Sequence, residues 1–321
     1  MTYTPKFKAS TVERFDAEGK PTKAETARAG DRRAGSVYVY DDRIKLRINV
    51  AMATDRPILV QGPSGSGKSS LARNVAYRLR RRYYETVVTS RTQARDLAWT
   101  FDAVQRLSDA SGNVGAKPVS SYILPGVLWW AFDPSSAREQ ASAAGGKAGR
   151  MGLTDPGLDG KPAVVLIDEI DKADPDVPND LLVPVGSFTF DVPELDRGVT
   201  SPEGGQPLMF ITTNDERELP PAFLRRCVAL SLSSPSEDRL VEIARAHHPD
   251  ADPAMCHAIA RQFIPHAADG KPGTPIASTA EFLDAVQASI DLKVPPNARS
   301  KTWQGILESI LSKRGGPPPT P

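Results

Sequence analysis

Gly62-Pro63-Ser64-Gly65-Ser66-Gly67-Lys68-Ser69 sets three glycines, three hydroxyls and one lysine within eight residues. An apolar run, Ile58-Leu59-Val60, leads in, and a helix-forming stretch, Ser70-Leu71-Ala72-Arg73-Asn74-Val75-Ala76, leads out. Glycines let the backbone curl until several amide N–H groups face one point, where they hold phosphate oxygens. The N-terminus of the helix adds its partial positive charge there. Lys68 can reach the β- and γ-phosphates, the Ser69 hydroxyl can ligate Mg²⁺, and Ser70 completes the phosphate-binding run. A Gly/Ser-rich turn that happens to precede a lysine is the plainer alternative. The strand before and the helix after count against it.

A second cluster is Leu166-Ile167-Asp168-Glu169-Ile170-Asp171-Lys172. An acid at the end of a buried strand can hold Mg²⁺ through water, the role that falls to Asp168. Glu169 is placed to orient or deprotonate a water attacking the γ-phosphate. Otherwise these are two acids capping a strand end. Thr212-Thr213-Asn214 is the third: a neutral amide at Asn214 can bond both γ-phosphate and water, although asparagine after a strand is commonly a turn residue. The fourth is Leu219-Pro220-Pro221-Ala222-Phe223-Leu224-Arg225-Arg226-Cys227, where a proline-started helix presents two arginines. Such a pair is either solvated and salt-bridged, or donates charge to a neighbouring subunit's nucleotide.

Strands must deliver these groups to one place. Ile58–Val60, Tyr84–Thr89, Ala163–Ile167, Leu208–Thr213 and Val228–Leu232 are apolar or β-branched runs, with helical segments between them. The uninterrupted run at 163–167 suits a strand covered on both faces. The expected fold is therefore α/β, a doubly wound parallel sheet with its ligand at the strands' C-terminal ends. A helix over 41–54 precedes the first strand. Residues 1–35 are polar and read as a flexible or loosely docked arm, and 36–234 as the α/β domain. Periodicity then predicts four helices within 235–314, a small all-helical C-terminal domain, with a loop at 268–275 and a disordered tail at 315–321.

Composition narrows the function classes. Forty Lys and Arg against 39 Asp and Glu give no field for nucleic acid. The run Arg78-Leu79-Arg80-Arg81-Arg82 reads as a solvated helix end rather than a nucleic-acid patch. Two cysteines, Cys227 and Cys256, give no disulfide framework, as expected of a reducing cytoplasm. The four histidines lack metal-ligand spacing. No apolar stretch suits a signal peptide or a membrane span, so a cytoplasmic protein is expected.

These four elements, in this order, resemble the AAA+ P-loop ATPases, and within them the MoxR-like branch related to McrB and dynein-type modules. Leu219-Pro-Pro-Ala-Phe-Leu-Arg-Arg is similar to that branch's Leu-Pro-x-Ala-x-Leu-Asp-Arg segment, so the resemblance makes Arg226 the trans-acting arginine finger, with Arg225 replacing the usual Asp. The stretch Ser120–Ala131, within an insert near 112–130, looks like the branch's helix-2 insert, an apolar hairpin running into a turn and helix. Trp129 and Trp130 there read as core rather than as a substrate-gripping element. Lys172–Val185 resembles the helix after the acidic motif, followed by a hairpin. One departure stands out: Pro275–Phe282 carries no arginine where the family's lid commonly has a second sensor.

The resemblance implies an ATPase that forms a homo-oligomeric ring, a hexamer, and remodels or activates a client protein in a chaperone-like way. It also implies ATP and Mg²⁺ as cofactors, and a partner class bearing von Willebrand factor A domains. A nucleotide-dependent module of a DNA-restriction or phage-defence complex is the alternative, disfavoured for direct DNA contact by the near-zero net charge. A small-molecule P-loop kinase is a third, but it needs neither Asn214 nor an arginine pair facing a neighbour.

Overall fold

Apolar runs and amphipathic stretches lay down strands and helices in nearly the expected order. The computed structural model describes residues 3–14, 36–111, 115, 117–146, 160–268 and 278–311. β1 (Val12–Arg14) and β2 (Val37–Val39) precede α1 (Asp42–Thr54), β3 (Ile58–Gln61), α2 (Lys68–Leu79) and β4 (Arg82–Val87). Next come α3 (Ala94–Ala98), β5 (Trp99–Phe101), α4 (Ala103–Ser111), β6 (Ile123–Pro125), α5 (Val127–Phe132) and α6 (Pro134–Ala143). β7 (Ala163–Asp168), α7 (Val177–Asp180), α8 (Leu182–Ser187), β8 (Thr189–Val192), β9 (Arg197–Thr200), β10 (Leu208–Thr213), α9 (Pro221–Leu224) and β11 (Val228–Ser231) follow. α10 (Glu237–His247), α11 (Pro253–Ala268), α12 (Thr279–Asp291) and α13 (Lys301–Leu311) end the described chain. Two compact units result, one from 1–8, 42–61 and 75–230, the other from 9–41, 62–74 and 231–321.

The first unit is built on a five-stranded sheet in the order β11-β3-β10-β7-β4. β3, β10, β7 and β4 pair in parallel, with Thr213 opposite Gln61 and Ile211 opposite Ile167. Every residue of β10 is buried, as are Ala163–Ile167 of β7, because central strands are covered on both faces. β4 starts two residues before the expected strand. Buried Tyr83 and Tyr84 draw the chain in early, and Arg82 goes with them instead of staying in solvent as the arginine run suggests. Its guanidinium is buried but satisfied, donating to the carbonyls of Lys161 and Trp130, both at 2.9 Å.

α5 buries five of its six residues, Val127, Leu128, Trp129, Ala131 and Phe132. At roughly 1.5–3 kcal/mol for each large apolar side chain, this is what fixes the helix. Trp129 is fully buried and Trp130 partly so, packed against the same core. The expected hairpin of the insert is real but longer, since β6 pairs antiparallel with β5 and α4 lies between them. Residues 112–114 and 116 of that insert lie outside the described residues. The helix expected over 172–185 is broken into a turn at Ile170–Lys172, α7 and α8. Pro175, Pro178 and Pro184 explain the break, because proline is accommodated in the first turn of a helix and not in its interior. The hairpin after it is β8 with β9.

Near the start of the chain, Phe7 is buried and its backbone N–H and C=O both bond the Asn49 side chain of α1, at 2.7 and 2.9 Å. This part of the expected arm is therefore fastened. Residues 15–35 lie outside the described residues.

The second unit packs α10, α11, α12 and α13 around Leu240, Ile259, Phe263, Phe282, Val286 and Trp303. Trp303 Nε1 donates to Gln262 Oε1 at 2.8 Å, so its one polar atom is not stranded. β1 and β2 pair antiparallel, and Val37 and Val39 pack with Ala246 of α10. Ser236 caps α10, and Ser278 with Glu281 forms a capping box at the start of α12. Most of the expected 268–275 loop and all of the 315–321 tail lie outside the described residues. Among the described residues, no helix is long and apolar enough to cross a membrane.

Candidate functional site

The glycine-rich loop belongs to the second unit and is folded by its own sequence. Gly65 and Gly67 run at φ 74° and 90°, a conformation that side chains with a Cβ resist. Gly65 is also needed for space: a Cβ there would meet the Ser278 Cβ at 2.3 Å. Tyr38 of β2 lies 3.5 Å from where a Gly67 Cβ would stand, and Tyr40 Oη donates to Asn74 Oδ1 in α2 at 2.8 Å. Lys68 opens α2 and is buried. Its ammonium donates to the Gly62 and Pro63 carbonyls at 2.7 and 3.0 Å, drawing the loop around itself. Ser66 Oγ is buried with no hydrogen-bond partner among the described residues. An unpaired buried hydroxyl costs about 1–3 kcal/mol, which an arriving acceptor such as a phosphate oxygen would relieve. Loop, lysine and orphan hydroxyl fit an anion. Ser64, Ser69 and Ser70 complete the same run, Ser69 and Ser70 in the first turn of α2.

The acids belong to the first unit, at the end of β7. Asp168 is the last residue of the strand. Glu169 then adopts the left-handed conformation, φ 62° and ψ 48°, which costs a non-glycine residue about 1–3 kcal/mol and persists only where neighbours impose it. Thr212, fully buried in β10, imposes it: its Oγ1 accepts from the Glu169 N–H at 2.9 Å and donates to Asp168 Oδ1. The Glu169 carboxylate meets Lys172 Nζ at 2.7 Å, and this hydrogen bond pushes the Lys172 pKa above its ordinary value. Asn214 follows β10, half-buried, with its backbone N–H on Asp171 Oδ2 at 3.0 Å. The structure thus joins Asp168, Glu169 and the Asn214 backbone through Thr212 and Asp171. Sequence reasoning gave neither of these two a role, although both stood inside the motifs it singled out.

Arg225 and Arg226 are exposed just beyond α9. Arg56 holds their backbone by donating to the Arg226 carbonyl at 3.1 Å and to the Arg225 carbonyl. The sequence gives no sign of this partner, 169 residues away. Arg226 Nη1 itself turns back to the Ala222 carbonyl at 3.3 Å. The next residue, Cys227, is buried, and burial pushes its thiol up to about 12, so it remains protonated.

Ser69 in one unit and Asp168 in the other are each an oxygen donor of the kind a hard cation such as Mg²⁺ takes. Among the described residues, no group of three or more His, Cys, Asp or Glu could hold a metal by itself.

No curated protein matches the sequence. Among solved structures the chain is similar to RuvB of Thermotoga maritima, present as several point variants. A proline-to-glycine variant is 16% identical over 86% of this chain and 71% of that one, with a TM-score of 0.46. A threonine-to-valine variant is 15% identical over 89% and 70%, with a TM-score of 0.43. A lysine-to-arginine variant is 16% identical over 85% and 69%, with a TM-score of 0.45. At such identity and superposition these likenesses carry nothing about activity. The family model described as AAA domain (dynein-related subfamily) matches residues 57–227, more than half of the chain and all of its phosphate loop, acidic motif and arginine segment. The chain belongs to this dynein-related AAA domain family.

Proposed function

We propose that this chain hydrolyses ATP, as a MoxR-like ring ATPase in which each site is completed by a neighbouring copy, to remodel or activate a client protein. One observation carries the reading. β3, β7 and β10 run parallel and end at the same edge of one sheet, at Gln61, Asp168 and Thr213, so the phosphate loop, the acids and the asparagine all leave from that edge.

On this reading the loop amides and Lys68 hold the triphosphate and take up charge as the γ-phosphoryl transfers. Asn214 orients the attacking water, and Glu169 accepts its proton, leaving Lys172 to follow or release the carboxylate. Ser69 and Asp168 are the residues that would hold a Mg²⁺, which when bound would neutralise charge on the phosphates. Arg226 is exposed, as a donor reaching a neighbour's nucleotide must be. The client, for which a protein bearing a von Willebrand factor A domain is the proposed class, takes up the work.

The test is the mass of the particle in solution with and without a slowly hydrolysed ATP analogue. A nucleotide-dependent ring is expected. A chain that stays monomeric at every concentration while turning over ATP at full speed would refute the shared site. Mixed Arg226→Ala and Glu169→Gln subunits should recover part of an activity that each loses alone, by on the order of 10³-fold for the arginine.

A further inference from the structure

The acidic motif continues two residues past its base to Asp171, which is 3% exposed. One of its oxygens, Oδ2, accepts two backbone N–H groups from a single loop, those of Asn214 and Glu216, each at 3.0 Å. The other, Oδ1, is buried with no hydrogen-bond partner among the described residues. A carboxylate buried on such terms is expensive, and the two N–H groups it accepts are what offset that cost.

What Asp171 ties together explains its position. The turn it sits in begins with Glu169, whose N–H is fixed by Thr212 at 2.9 Å. It closes at Ala173, whose carbonyl accepts from Arg217 Nη1 at 3.1 Å. With Thr212 on Asp168 and the two bonds of Asp171, five hydrogen bonds bind 168–173 to 212–217. All of them are long-range, between residues 43 to 45 positions apart. The two segments therefore behave as one rigid piece with the base on one side and the water-orienting amide on the other.

We infer that Asp171 is a positioning residue for hydrolysis, setting the spacing between the Glu169 carboxylate and Asn214. The inference rests on the hydrolytic reading proposed above. Asp171 touches no reacting atom in this scheme. Its effect passes through the backbone of the asparagine loop, and so it belongs to turnover rather than to nucleotide affinity.

The experiment measures ATP turnover and the affinity for a fluorescent ATP analogue on the full chain. Asp171→Ala is expected to lower kcat by about 10²-fold, the size of effect that a misplacement near 1 Å produces, while leaving the analogue's Kd within about two-fold. Asp171→Asn keeps a carbonyl oxygen for the two amides and should stay within about three-fold of the parent kcat. On a Glu169→Gln background, Asp171→Ala should add less than about two-fold, because residues acting as a unit are not additive. A full multiplicative loss there, or kcat and affinity falling together in proportion to the folded fraction, would overturn the positioning role. If Asp171→Ala does not fold, amide exchange on the unaltered chain decides: protection at Asn214 and Glu216 supports the clamp, and rapid exchange at both overturns it. A parent chain without turnover sinks the hydrolytic reading and this inference with it. A parent that turns over beside an unimpaired Asp171→Ala sinks the inference alone.

Discussion

The phosphate loop and the acid cluster are assembled in opposite ways. Lys68 bonds carbonyls five and six residues before it, and the loop's shape follows from glycines at fixed places in a run of eight. The acid cluster is held by contacts 43 to 45 residues apart, between two strands that meet only after the sheet has formed. A locally encoded cradle and a long-range clamp should fail differently. Damage to the first should abolish binding, and damage to the second should spare binding and stop cleavage.

Lys68→Ala attacks the cradle at its centre. Removing a buried charge-assisted partner costs about 2–5 kcal/mol, so affinity for ATP should fall by roughly 30-fold or more and drop out of range in an equilibrium titration. Retained binding would mean that the loop is not where nucleotide sits. Glu169→Gln makes the opposite cut. Binding should persist while turnover falls by about 10²–10⁴-fold, with assembled particles accumulating; hydrolysis at the parent rate would remove the base assignment.

Smaller changes sharpen the contrast. Gly65→Ala should cost about 1–3 kcal/mol in a denaturant melt, since it combines a left-handed backbone with a clash on Ser278. Ser278→Gly should return part of that loss in the double variant, and strict additivity would show that the two do not touch. The smallest effect belongs to the Glu169–Lys172 pair. The folded-state pKa of Lys172 is raised, so the pair's stabilisation is complete below the ordinary lysine pKa and is lost as pH climbs through the raised value. The lysine side chain is 42% exposed, which limits the pair to about 0–1 kcal/mol. A Lys172→Met chain should therefore trail the parent melt slightly at pH 8, and the gap should close only as pH climbs through the raised lysine value.

Reading the sequence located every strand of the five-stranded sheet and the four C-terminal helices, because apolar runs and 3.6-residue periodicity are local signals. Where it failed, a distant partner or an overlooked proline had decided the outcome. Arg82, grouped with a solvated arginine run, is drawn inside by two tyrosines and two carbonyls. The single helix expected after the acidic motif is cut into two by Pro175, Pro178 and Pro184. Asp171 and Thr212 stood in plain sight within their motifs, yet their partners lie on the other strand, and no spacing rule connects them.

By itself, the chain's order of residues determined a glycine-rich loop, the separate strands and the four C-terminal helices, since each depends on interactions between near neighbours. The tertiary structure alone decided how the acids and the asparagine loop are held together, that Arg56 secures the arginine pair, and that Gly65 is matched to Ser278. Those contacts join residues tens to hundreds of positions apart, and they exist only once the strands have found their register.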